Sequence, residues 1–93
     1  MPYFVVTIEY IKPMDVVEKH TPAHRTFSAG LQEQGTLLFS GPFNPRTGGM
    51  LVVQADSIDK AVAMFDDDPF KKLDIARYQI REWVPVVGVE RLG

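Results

Sequence analysis

Thr36 to Ala55 reads TLLFSGPFNPRTGGMLVVQA, two apolar runs around a stretch crowded with glycine and proline. The runs Thr36–Ser40 and Met50–Ala55 are short and rich in strand formers. The turn residues from Gly41 to Gly49 between them predict an antiparallel hairpin. Neither run alternates. Leu37, Leu38 and Phe39, then Met50 to Val53, place apolar side chains on both faces of a sheet, where a sheet covered on one side only normally shows a polar second face.

Upstream, Tyr3 to Ile11 (YFVVTIEYI) is β-branched and aromatic, with Phe4, Val6, Ile8 and Tyr10 on one face, and Pro13 stops it. Met14 to His20 reads as a connector or a short helical turn. Thr21-Pro22 reads as a cap followed by proline in the first helical turn, opening a helix that runs to Gln34 and ends at Gly35. At about 100° per residue, His24, Phe27, Ser28 and Leu31 share its inward stripe.

Downstream, Asp56 or Ser57 caps a second helix with Ile58, Ala61, Val62 and Phe65 on one face. The acids Asp66 to Asp68 oppose its dipole and end it near Phe65. Asp68-Pro69 starts one further turn, and Ile75 to Val84 alternates as a fourth strand. Val86 to Gly93 is a tail whose three valines are expected to lie against something. The order strand–helix–strand–strand–helix–strand predicts an α+β, ferredoxin-like βαββαβ domain over 1–93 with a four-stranded antiparallel sheet.

Two helices cover one face of such a sheet. The other face, with Tyr3, Val5 and Trp83 added to the hairpin residues, would be a large apolar patch on a monomer. A homodimer through the sheet face removes it from water; a tail or loop folded over the face is the competing account. A 93-residue chain without cysteine has a modest core and no disulfide framework, so oligomerisation is an available support.

Ten basic and twelve acidic residues leave a net charge of -2, without the basic stripe that nucleic acid demands. No run is long enough to span a bilayer, and the start of the chain lacks a basic, cleavable leader. A cytoplasmic protein with neither nucleic acid nor membrane as partner is expected.

Pro22-Ala23-His24, Gly35 before an apolar strand, Ser40-Gly41-Pro42 at that strand's end, and Asp68-Pro69-Phe70 after the second helix follow one another across nearly the whole chain. In that order and spacing the chain resembles the YciI-like (YCII-related) proteins. The resemblance implies a dimeric α/β barrel built on the ferredoxin-like fold, and a cleft where His24 meets Asp68. Among relatives, one activity removes chloride from a chlorinated hydroxyquinol, and related barrels include muconolactone isomerases and small monooxygenases. Arg25 stands where family members often have leucine, and the Phe43–Gly49 loop is short.

A histidine beside a carboxylate makes a general base near neutral pH, the carboxylate fixing the tautomer while the free nitrogen takes a proton. With no serine elbow and no phosphate loop, proton transfer suits these residues. The reading is a small-molecule enzyme of lyase, dehydrochlorinase or isomerase type, with His24 and Asp68 catalytic and Ser40, Gly41, Pro42 and Phe70 around the substrate. Backbone at Gly41 and Gly48-Gly49 can approach a ligand closely.

Each element also has a structural account. Asp68 before Pro69 is what a helix cap looks like, His24 can be a core histidine, and Gly41-Pro42 can be turn chemistry. The alternative function is a non-catalytic dimeric ligand-binding or accessory domain. No cofactor is expected, a haem- or flavin-dependent monooxygenase being a weaker third option. No metal site is expected either: the start at Thr21-Pro22 would leave His20 outside the helix that carries His24, and Asp66–Asp68 lacks the spacing of a calcium loop.

Overall fold

Alternation sets the central strand. In the computed structural model, which describes residues 1–92, β1 (Tyr3–Tyr10) buries Phe4, Val6 and Ile8 on one face and turns Val5, Thr7 and Glu9 to the other. β1 pairs with β3 (Gly48–Gln54) and with β4 (Ala76–Trp83), and β3 pairs with β2 (Leu37–Pro42), all antiparallel. The sheet has four strands in the order β2-β3-β1-β4. Its helical connections lie over the face formed by Phe4, Val6, Leu51 and Val53, and Val17, Leu31, Phe65 and Phe70 complete the core there.

The α+β, ferredoxin-like order is as the sequence implies, but the α/β-barrel part of that expectation is wrong. The sheet is open, with β2 and β4 as its two edges, and it does not curl to closure. Four twisted strands span too little of a circumference, since even small closed barrels use about eight.

The first helix also differs. α1 (Met14–Glu33) is one continuous 20-residue helix with Pro22 inside it, capped at Pro13 and not at Thr21. Tertiary packing overrides the local start signal: Val17 is fully buried, so the first turns are held on the core. Thr21 therefore does not cap; its Oγ1 donates back to the Val17 carbonyl at 2.7 Å. Proline deprives only the carbonyl of Glu18 of a helical donor, and Glu18 faces solvent. The helix ends as read, with Gly35 at φ +79°, a left-handed position that suits glycine.

Ser57 caps α2 (Ile58–Ala63), its side chain accepting from the Lys60 N–H at 3.2 Å, and α2 buries Ala61. Asp68 caps α3 (Pro69–Lys72). After β4, Val86 and Val87 are 79% and 92% exposed, so these tail valines lie against nothing in the chain itself, and Val89–Leu92 forms a short helical turn. On the open sheet face, Phe39, Met50 and Trp83 are exposed around the nearly buried Val52, while Gln79, Arg77 and Arg81 make the β4 side polar. No helix among the described residues is long and apolar enough to cross a membrane.

Candidate functional site

Asp68 sits where α2 gives way to α3. Its side chain is 0% exposed, and its oxygens are fully engaged. Oδ1 accepts the Phe70 backbone N–H at 3.1 Å, which is the cap of α3. Oδ2 accepts the Tyr78 hydroxyl, delivered from the inward face of β4. Both oxygens face His24 Nδ1, at 2.9 and 3.1 Å. A carboxylate so placed makes Nδ1 the protonated nitrogen of the ring. Nε2 then carries the free lone pair, and it has no protein partner among the described residues.

His24 comes from the middle of α1, its side chain 15% exposed. Its ring stacks on Phe70, with centroids 4.2 Å apart and planes within 5°. Phe70 is itself buried and meets Tyr10 edge-on at 5.9 Å. The imidazole is therefore fixed by a hydrogen bond at one edge and by packing on one face. The Tyr78 hydroxyl is pushed well above the ordinary tyrosine value, first by burial and then by its bond to Asp68, so it stays a neutral donor.

His24 opens onto a cleft of about 320 Å³ between α1 and the β2–β3 end of the sheet. A bulge between Leu37 and Phe39 shifts the register of β2, so that Ser40 pairs with Leu51 and joins the helix-facing side. Without that extra residue Ser40 would point to the open face. Gly49 faces the cleft with no side chain; a Cβ there would stand 2.7 Å from the Gly41 carbonyl. Ser40, Gly41, Pro42 and Phe70, the four residues read as surrounding a substrate, all line this space with His24. Asp68 lies behind the histidine, out of the cleft.

Arg25, Ser28, Arg46 and Tyr10 also line the cleft, and the sequence reading gave none of them a role. Tyr78 was missed as well, though a signal existed: a tyrosine between Ala76 and Ile80 on a core-facing stripe needs a partner for its hydroxyl. Arg46 sits in the loop between β2 and β3 and carries no sequence pattern. His20 lies in α1 one turn before His24, contrary to the expected helix start. Among the described residues no group of three His, Cys, Asp or Glu is arranged to hold a metal.

Residues 1–84 match the YCII-related domain. The chain belongs to the YCII-related domain family. Among its relatives, the uncharacterized protein YjpA of Bacillus subtilis is 33% identical over 66 residues, covering 71% of this chain and 78% of YjpA. A solved structure of a 5-chloro-2-hydroxyhydroquinone dehydrochlorinase from Burkholderia phenoliruptrix, in complex with 2,5-dihydroxybenzoquinone, superposes with a TM-score of 0.76. It is 19% identical, with 92% of this chain and 96% of that one covered, a likeness of fold. This YCII-related chain thus pairs a shared fold with a buried His–Asp contact at the head of a cleft.

Proposed function

We propose that the protein is a small-molecule enzyme in which His24 is the general base and Asp68 orients it, working on a compact substrate by elimination or isomerisation. The supporting observation is the arrangement around Asp68: a buried carboxylate holds Nδ1 while His24 faces open space. In an elimination, Nε2 takes a proton from the substrate, the freed electron pair forms the new double bond, and a leaving group such as chloride departs with its own pair. In an isomerisation the proton returns at another carbon. A cleft of about 320 Å³ suits a single-ring compound, at the small end of ligand pockets. The fold likeness to a dehydrochlorinase makes elimination the first reaction to try. Ser40, Gly41, Pro42 and Phe70 would surround the substrate.

The test is chloride release from chlorinated hydroxyquinols by wild-type protein and by His24→Ala. Loss of turnover in a folded variant is the expected result; undiminished turnover refutes the role of His24.

A non-catalytic ligand-binding domain is the second reading, favoured by the cap that Asp68 makes on α3. It predicts that ligands bind unchanged and that His24→Ala alters stability alone. Under either reading we expect residues 1–93 to act as one domain and to pair through the open sheet face, where Phe39 is 55% exposed beside Met50 and Trp83.

A further inference from the structure

We infer that the cleft selects small organic acids, with Arg46 and Arg25 holding the anionic group at its mouth and the Ser28 hydroxyl binding a neutral oxygen of the same molecule. The inference rests on this cleft being the substrate site proposed above.

Charge is the first ground. Arg25 and Arg46 line the cleft, and no carboxylate lines it. Neither arginine forms an ion pair among the described residues. The chain as a whole is acidic, so two cations without a counter-charge in one concavity run against its general balance. A concave site lined by one sign of charge raises the local concentration of the opposite one.

Arg46 is also held in place. Its Nη2 donates to Thr21 Oγ1 at 3.2 Å and its Nε approaches the Tyr10 hydroxyl at 3.4 Å, with the guanidinium 5.9 Å from the centre of the Tyr10 ring. Two of its five N–H groups are used, and Nη1 remains free to grip an oxyanion.

Ser28 supplies an independent second ground. A hydroxyl inside a helix either points to solvent or bonds back to the carbonyl four residues earlier. Thr21 and Thr26 in α1 do so, reaching Val17 at 2.7 Å and Pro22 at 3.2 Å. Ser28 does not. Its buried Oγ has no partner among the described residues, and it lines the cleft one turn beyond His24. A rotation of its side chain toward the cleft would let a ligand oxygen satisfy it. Ile8, Leu51 and the bare backbone of Gly49 leave an apolar surface for the body of such a ligand.

The experiment compares equilibrium binding of 3-hydroxybenzoate with that of its neutral counterpart 3-hydroxybenzamide. Wild-type protein should bind the acid about tenfold tighter or more, the worth of a charge-assisted hydrogen bond. Arg46→Gln should remove most of that preference, Arg46→Lys should restore part of it, and Ser28→Ala should weaken both ligands alike. Circular dichroism confirms that each variant is folded. Equal binding of acid and amide, no binding of either at millimolar concentration, or an undiminished preference in both Arg46→Gln and Arg25→Gln overturns the inference. His24→Ala separates the two proposals: it should keep the acid preference while losing turnover. Retained turnover with retained preference would sink the proton-transfer reading and leave the anion site standing.

Discussion

Replacing Asp68 by alanine tests how far the fold depends on one side chain of the site. The substitution strips the cap from α3, which costs about 0.5–2 kcal/mol. It also orphans the Tyr78 hydroxyl, and a donor left unsatisfied in the interior costs about 1–3 kcal/mol. His24 loses its partner at Nδ1 too, but the ring proton can move to Nε2, which faces the open cleft, so this loss adds less. Removing a buried charge returns part of its desolvation cost, so the lower half of the combined range is the better expectation. The net loss should be about 1.5–3 kcal/mol, a large fraction of the 5–15 kcal/mol that typically holds a domain together. Urea unfolding followed by circular dichroism, at one fixed protein concentration, gives the number directly. Asp68→Asn is the informative control, because its amide oxygen can still accept the Phe70 N–H and keep the cap. It should cost about 1 kcal/mol, the order of a single hydrogen bond. The reasoning fails if Asp68→Ala stays within about 0.5 kcal/mol of wild type, the span of ordinary surface changes. It fails equally if asparagine is as damaging as alanine.

Tyr78 makes an alkaline prediction. Its native value is raised above the ordinary 10.0, so above that pH the unfolded chain loses a proton that the native chain keeps. Stability should therefore be intact below pH 10 and fall as pH climbs beyond it, by up to about 1.4 kcal/mol per unit. Tyr78→Phe should flatten the fall, and urea midpoints across that range would show it. Pro22→Ala should stabilise by about 1–2 kcal/mol, since it restores a helical N–H and removes the ring from an interior position at some cost in unfolded-chain entropy. A lower urea midpoint would count against the continuous α1. Phe39→Asp should shift the sedimentation equilibrium of the protein from dimer to monomer, and a wild-type protein already monomeric at micromolar concentration would dispose of the sheet-face pairing.

The strands were legible because β-branched and aromatic residues cluster in runs of the right length. Asp68-Pro69 announced its turn through cap chemistry that needs no tertiary context, and His24 fell on the inward stripe because that stripe follows from helical geometry alone. Local reading failed where distant packing decides. Thr21-Pro22 has the form of a helix start, yet burial of Val17 carries the helix straight through it. The bulge that turns Ser40 into the cleft is a matter of pairing between β2 and β3, which a single strand does not disclose. The barrel expectation came with the family resemblance and not from the residues, and the open order of the four strands corrects it. Arg46 reaches Thr21 across 25 positions of sequence, a distance at which no periodicity speaks.

Because Asp68 serves as a cap for α3 and as the acceptor for Tyr78 before it ever meets the imidazole, natural selection for a folded chain alone is enough to retain it. A lineage that abandoned chemistry could drift at position 24 for a long time with its aspartate intact. If His24 is the base proposed above, then among diverging copies of this protein the histidine is the residue that would tell an enzyme from a relic.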